Sequence, residues 1–230
     1  MRIKADIIKV KAQDFQTEQV SSLKEQYTGR KEVFVDKKVL ERYFAKKKEG
    51  SIAPNETFVY DTITSANIRL TEDDFRMNQF VVLRCSVNPN QTALGYFNGK
   101  NIVPLLFEKE HPYGVTPKSV GQIFFQEALM RSVDEAPLVI CNGPAGTAKT
   151  FYSLAVGLYH LLEKYDKEFR RILVCRPSVK LDEDLGFLPG TEQEKIAPYL
   201  RPIIDNLEVL VDKSPDKYDN ENSLKGKIDY

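Results

Sequence analysis

The chain of 230 residues has few cysteines and histidines, and it has no long apolar run. Three widely separated cysteines and two histidines lack the spacing of a disulfide framework or a zinc site. Cys141 and Cys175 lie in apolar stretches and are predicted to be small core residues in a reducing compartment. A stretch of about 18 apolar residues, the minimum for a membrane helix, does not occur. The first residues, MRIKADIIKV, are too charged for a secretory signal. We therefore expect a cytoplasmic protein without a membrane span.

The chain also lacks a net charge, because 33 basic residues balance 33 acidic ones. This balance neither indicates nor excludes a nucleic-acid partner, since local patches can bind phosphate. Hydrophobic residues make up 42% of the chain and charged residues 29%, which is typical of a soluble globular protein. The length allows one large domain or two small ones.

A phosphate-binding loop is the strongest motif present. Its pattern is Gly, four residues, Gly, Lys, then Ser or Thr, in which backbone N–H groups converge on phosphate oxygens. Lys149 would reach the β- and γ-phosphates of a nucleoside triphosphate, and the Thr150 hydroxyl would ligate Mg²⁺, so these are the predicted catalytic residues. The alternative is a simple turn between a strand and a helix. The predicted nucleotide-binding residues are Gly143, Pro144, Ala145, Gly146, Thr147, Ala148, Lys149 and Thr150.

The sequence around this loop favours the phosphate-binding interpretation. Leu138–Ile140 is typical of a short buried strand, and Leu154, Leu158 and Leu161 recur at helical spacing after the loop. Ala148 occupies the slot of the second Gly, and it is tolerated there if its φ is helical, because only a positive φ strongly favours Gly.

The region before the loop is predicted to be rich in β-structure. Strands are expected at 33–35, 58–60 and 79–85, and Asn98-Gly99 predicts a hairpin joining 94–97 to 101–105. Asp36 is placed to cap a short helix that follows the first strand. The aromatic residues of this region could stack on single-stranded nucleic acid, although such residues are more often core; they are Phe80, Tyr96 and Phe97.

After the loop the pattern is α/β. Residues 171–175 predict a second strand, Thr191 to Glu194 form a capping box at the start of a helix, and Pro198 and Pro202 are expected to interrupt that helix.

The run RRILVCRPSVKLDEDLGFLPGTEQEKIAPYLRPIIDNL resembles the PhoH-like family of ATPases. The resemblance covers roughly residues 116–207 and rests on Arg176–Val179, Leu185–Gly190, Pro198–Pro202 and the phosphate-binding loop. It implies an α/β fold, a partial P-loop NTPase whose parallel sheet is incomplete, preceded by a small β-rich domain. It also implies that Gln122 hydrogen-bonds the adenine edge, with Gln126 as the competing candidate.

Residues 1–23 resemble the end of a PIN nuclease domain, as in proteins that fuse PIN to a PhoH-like ATPase. We therefore expect a PIN remnant at 1–23, a β-rich linker domain at 24–110 and the N-terminal part of the ATPase domain at 111–230. Neither the nuclease carboxylates nor the second acidic motif of the family is found in these residues. We therefore expect this chain to be a fragment of a longer protein.

The resemblance implies that the whole protein hydrolyses ATP with Mg²⁺, associates with RNA and assembles with copies of itself as a ring. Two alternatives stay open: a non-catalytic nucleotide- or RNA-binding module, which the missing acidic motif favours, and a small-molecule kinase. The resemblance also suggests that Glu183 lies at the rim of the active site. Arg176 and Arg201 could contact phosphate or a neighbouring subunit, or could form surface ion pairs.

Overall fold

A computed structural model describes residues 27–46, 49–61, 63–164, 169–175 and 192–213. The predicted PIN remnant, Arg176, Glu183 and the LGFLPG motif lie outside these residues. The chain divides into two compact units, which we call unit 1 (Met1–Pro104) and unit 2 (Leu105–Tyr230). Its described residues form a mixed α/β structure with one six-stranded sheet, and none of their helices is long and apolar enough to cross a membrane.

Unit 1 contains the whole of this sheet. Its elements are β1 (Arg30–Val35), α1 (Lys37–Ala45), β2 (Thr57–Tyr60), β3 (Asn67–Arg69), β4 (Phe80–Cys85), β5 (Thr92–Phe97) and β6 (Ile102–Pro104). The strand order is β3-β2-β1-β4-β5-β6, in which only β1 and β4 are parallel. The strands predicted from residues 33–35, 58–60 and 79–85 and the predicted hairpin are therefore confirmed.

The core of unit 1 lies between the sheet and α1. Alternate residues of β1 and β4 point to this side, as the period of two in a strand requires, and so does Phe97 of β5. Phe97 is thus a core residue and not part of a stacking platform. Phe80 and Tyr96 face each other across β4 and β5 on the opposite side of the sheet and are half-buried.

The approach of α1 to the sheet depends on Gly95. A Cβ atom at this position would lie 2.6 Å from the Tyr43 hydroxyl and 2.7 Å from the Val103 carbonyl oxygen. The same hydroxyl donates a hydrogen bond to the carbonyl oxygen of Leu94 at 3.0 Å. Only a residue without a side chain lets the helix come this close to β5.

Unit 2 is helical in its described residues. It contains α2 (Val120–Met130), α3 (Lys149–Leu158) with a π-helical turn at Tyr159–Glu163, and α4 (Glu192–Lys213). Pro198 and Pro202 do not interrupt α4, contrary to expectation. Each proline removes one backbone donor, and the helix continues through both. Buried residues of α3 and α4, among them Leu154, Leu158 and Leu210, form the core of this unit.

The two strands predicted in unit 2 are wrong for the described residues. Neither 138–140 nor 171–175 pairs with another described segment, and their side chains are largely exposed, with Leu138 at 77%, Ile140 at 83% and Leu173 at 75%. A strand is stable only when neighbours accept its backbone hydrogen bonds, and the described part of unit 2 supplies none. Cys141 and Cys175, predicted as core residues, are exposed for the same reason, whereas Cys85 is buried.

Candidate functional site

The loop at 143–150, predicted from sequence to bind phosphate, connects the exposed run 138–141 to the first turn of α3. Gly146 has φ +76° and Ala148 has φ +64° with ψ 27°, so two left-handed residues lie within three positions. Successive left-handed and right-handed residues point neighbouring N–H groups into one concavity, which suits an anion. The first amides of α3 have no intrahelical acceptor and lie at the positive end of the helix dipole.

Ala148 departs from the expectation drawn from sequence, because its φ is positive and not helical. A methyl group is tolerated in this left-handed conformation, but at a cost that glycine avoids. The carbonyl oxygen of Ala148 accepts a bond from the Tyr152 amide at 3.0 Å, which closes the first turn of α3. This hydrogen bond stabilises the left-handed conformation of Ala148, which alanine disfavours.

Lys149 reaches back into the loop. Its Nζ atom donates to the carbonyl oxygens of Gly143 at 2.9 Å and Pro144 at 2.6 Å, and it lies 3.4 Å from the Thr147 hydroxyl oxygen. Thr147 in turn donates to the Pro144 carbonyl oxygen at 2.9 Å. These contacts hold the ammonium group against the loop. A phosphate group bound there could replace the carbonyl oxygens as the hydrogen-bond acceptor of the ammonium group.

A cavity of about 350 Å³ lies beside the loop. Lys149 and Thr150 of the predicted set line it, and Thr150 is exposed on the first turn of α3. Its other lining residues were not predicted as site residues; they are Cys141, Ser153, Leu154, Ile172, Leu173 and Val174. Ser153 and Leu154 could have been found from sequence, since they lie one helical turn beyond Lys149 and Thr150.

The cavity brings the two exposed apolar runs of unit 2 to one place. Cys141 belongs to the run before the loop, and Ile172, Leu173 and Val174 belong to the second run. Desolvation raises the pKa of the Cys141 thiol, and the nearby positive charge of Lys149 opposes that rise. No sequence periodicity relates residues 141 and 173, so their proximity could not be predicted from one sequence.

Gln122 lies in the first turn of α2, apart from the cavity's lining residues. Its side-chain Oε1 atom accepts a hydrogen bond from the backbone amide of Lys118 at 2.8 Å. Its backbone amide donates to the Ser119 hydroxyl oxygen at 3.3 Å. Gln126, the competing candidate for adenine, is fully buried and donates to the carbonyl oxygens of Phe107 and Glu110, both at 2.8 Å. The side-chain donor of Gln126 is therefore used within the segment 107–110. This favours Gln122 over Gln126 as the residue that can contact adenine.

Two other features bear on the predicted site. Arg201 pairs with Asp205 at 2.9 Å on the exposed surface of α4, which corresponds to the ion-pair alternative for this residue. Among the residues that the structure describes, no group of three or more His, Cys, Asp or Glu side chains could hold a metal ion. The Thr150 hydroxyl alone is a candidate ligand, and Mg²⁺ typically adds phosphate oxygens and waters to so small a set of protein ligands.

A mixed α/β chain with a glycine-containing loop at a helix N-terminus is consistent with a P-loop NTPase-like fold. Residues 115–225 match the sequence profile of PhoH-like proteins. Through this part of its length the chain belongs to the PhoH-like family.

Several curated relatives support this assignment. Protein PhoH2 of Bacillus subtilis is 33% identical over 223 residues, which cover 95% of this chain and 46% of the relative. Protein PhoH of Escherichia coli K12 is 42% identical over 116 residues, or 50% of this chain and 31% of the relative. A PhoH-like protein of Mycobacterium bovis is 41% identical over 98 residues, or 43% and 26%. The chain thus spans less than half the length of these relatives, and no solved structure matches it.

Proposed function

We propose that this chain binds Mg-ATP at the loop 143–150 and that the whole protein is an ATPase associated with RNA. The observation that carries this proposal is the ammonium group of Lys149, held 2.9 Å and 2.6 Å from two loop carbonyl oxygens at the N-terminus of α3. A cation held at the positive end of a helix, beside left-handed backbone, is suited to bind an anion. Polyphosphate supplies that anion.

The roles of the individual residues follow from their positions. Lys149 neutralises charge on the β- and γ-phosphates, the amides of 143–150 bind phosphate oxygens, and the Thr150 hydroxyl holds Mg²⁺. Mg²⁺, which the Thr150 hydroxyl would help to hold, would supply positive charge to offset the negative charge that develops during phosphoryl transfer. Gln122 recognises the adenine edge with the donor and acceptor of its carboxamide.

Hydrolysis needs a group that orients the attacking water, and no described residue of the cavity fills that role. A nucleotide-binding module without turnover is therefore the second candidate function for this chain. In the whole protein we propose cytoplasmic location, a ring of identical subunits, and a PIN nuclease domain preceding the linker, all of which extend the family resemblance.

Calorimetry of Mg-ATP with the whole chain tests this proposal. Wild-type protein should release or absorb heat on binding, and Lys149→Ala should remove that signal. Lys100→Ala is the matched control, because it removes an exposed lysine in a turn of unit 1 and should bind as the wild type does. Equal binding by Lys149→Ala and wild type would contradict the proposed site.

Steady-state ATP hydrolysis separates the two candidate functions. Turnover that disappears in Lys149→Ala identifies an enzyme, and binding of Mg-ATP without turnover identifies the module. Phosphate transfer to a small metabolite, with no effect of added RNA, would instead indicate the kinase alternative.

A further inference from the structure

The sheet of unit 1 has a second face, which points away from α1. Side chains alternate along each strand, so Phe34 points away from the core side that Val33 and Val35 occupy. Direct cross-strand partners share a face in an antiparallel pair, which places Phe58 beside Phe34. We call the surface formed by Arg30, Phe34, Phe58, Tyr60, Arg69 and Arg84 the aromatic face.

Three rings form the centre of this aromatic face. The centroids of Phe34 and Tyr60 are 4.7 Å apart, those of Phe58 and Tyr60 are 5.5 Å apart, and those of Phe34 and Phe58 are 6.1 Å apart. Phe58 is buried, whereas Tyr60 is 41% exposed and Phe34 is half-buried. Tyr60 packs edge to face against both phenylalanine rings and presents part of its own ring to solvent, where a base can stack on it.

Arginine side chains surround the rings. The guanidinium group of Arg69 lies 5.0 Å above the Phe58 ring, and Arg84 is the register partner of Phe34 on the neighbouring strand. Arg30 begins β1 on the same face and is exposed. A guanidinium group can contact phosphate through paired N–H donors and can also stack on a base.

The carboxylates of this face already have partners. Arg69 pairs with Asp36 at 3.3 Å, and Arg84 pairs with Glu32. Both pairs are exposed, so each contributes little to stability and a phosphate group can compete for the arginine. Arg30 forms no ion pair with any described residue, which leaves one positive charge uncompensated.

We propose that the aromatic face binds single-stranded nucleic acid, with bases stacked on Tyr60 and Phe34 and phosphates held by Arg30, Arg69 and Arg84. The exposed ring of Tyr60 and the half-buried ring of Phe34, set among arginines, are complementary to a chain that alternates flat bases with negative charges. A duplex hides the faces of its bases, so it cannot use the rings. An apolar protein partner would have to desolvate Arg30 and two exposed ion pairs without offering them any charged group.

This binding does not depend on nucleotide at the loop 143–150. It assigns a location in unit 1 to the RNA association proposed above, and it can hold even if ATP does not bind. The two proposals therefore fail separately.

Fluorescence anisotropy with the whole chain tests the aromatic face. The probes are fluorescein-labelled oligouridylate and oligodeoxythymidylate of about 12 nucleotides and an RNA duplex of the same length, all without ATP. The wild type should bind the single strands and not the duplex. The two single strands differ in the 2′-hydroxyl and in the C5-methyl group, so equal binding would show that neither group contributes.

Tyr60 supplies a matched pair of variants. Tyr60→Leu removes the ring and should weaken binding of the single strands by at least about fivefold. Tyr60→Phe keeps the ring and should bind as the wild type does. Arg69→Gln should weaken binding and reduce the dependence of log K on log salt concentration by about one unit.

Several outcomes would overturn the proposal. They are a wild type that binds neither single strand, a duplex bound as tightly as the single strands, and equal binding by Tyr60→Leu and Tyr60→Phe. Lys149→Ala should retain binding of nucleic acid. If Lys149→Ala lost this binding while Tyr60→Leu retained it, the contact would lie in unit 2. If Tyr60→Leu does not fold, Arg69→Gln decides the question by its salt dependence.

Discussion

Unit 1 and unit 2 both contain apolar runs typical of buried strands, and the runs end in different environments. In unit 1, β4 lies between β1 and β5 and hydrogen-bonds to both. In unit 2, the runs 138–140 and 171–175 expose their large side chains, and residues 172–174 line a cavity. The comparison teaches that an apolar pattern measures how much a segment gains from burial, while the partners that bury it lie elsewhere in the chain.

Replacing one leucine in each unit gives the largest expected contrast. Leu83 of β4 is fully buried, so Leu83→Ala should reduce the free energy of unfolding by about 2–5 kcal/mol. Leu173 is mostly exposed, so Leu173→Ala should change it by no more than about 0.5 kcal/mol. Urea unfolding followed by circular dichroism measures both values. A large loss in Leu173→Ala would show that residues 171–175 are buried in solution, and the contrast between the units would fail.

Glycine positions give a second, smaller contrast. In Gly95→Ala the new methyl group would collide with the Tyr43 hydroxyl and with the Val103 backbone, which cannot rotate away, so we expect a loss of about 1–3 kcal/mol. Gly121, in the first turn of α2, has no heavy atom closer than 3.9 Å to the added Cβ. Gly121→Ala should therefore stabilise the protein by about 0.5–1 kcal/mol. Opposite shifts of the melting temperature would confirm the tight packing of α1 on β5.

The β-structure of unit 1 was predictable because its signals are local. Alternation in β1 and β4 and the Asn98-Gly99 turn specify strands and a hairpin without reference to distant residues. The parallel pairing of β1 with β4 was not predictable, since no local pattern chooses a neighbour 50 residues away. The continuity of α4 through Pro198 and Pro202 was also missed, because propensity sets the cost of a proline but not whether packing offsets it.

The candidate site divides along similar lines. The loop and the helix that follows it were predicted from residue types at fixed spacing, and Lys149 and Thr150 line one cavity. The left-handed φ of Ala148 was not predicted, because an alanine in a sequence motif carries no sign of its backbone conformation. The aromatic face is an intermediate case: the sequence suggested a platform at Phe80, Tyr96 and Phe97, and the strand pairing places Phe34 and Tyr60 on the same side of the sheet as Phe80 and Tyr96.

Ala148 offers a smaller effect, within unit 2. Ala148→Gly should stabilise the folded state by about 1 kcal/mol, because glycine adopts φ +64° without the contact between Cβ and the carbonyl oxygen. Thermal unfolding measures this gain. Ala155→Gly is the control, since it places glycine in the middle of the same helix at a buried position and should destabilise it. A loss of stability in Ala148→Gly would mean that this residue has a helical φ in solution.

The smallest effect at neutral pH is expected at Tyr152, on the buried side of α3. Desolvation raises its pKa to about 12, and its hydroxyl has no hydrogen-bond partner among the described residues. Folding therefore favours the neutral phenol: this contribution to stability is complete below pH 10, the ordinary pKa of tyrosine, and is lost as the pH rises towards 12. Tyr152→Phe should unfold like the wild type at pH 7, because it removes no hydrogen bond, and should lose less stability between pH 10 and 12. Melting temperatures of both proteins across this range measure the difference, and parallel curves would show that the Tyr152 hydroxyl reaches water, which would contradict the packing of α3 in unit 2.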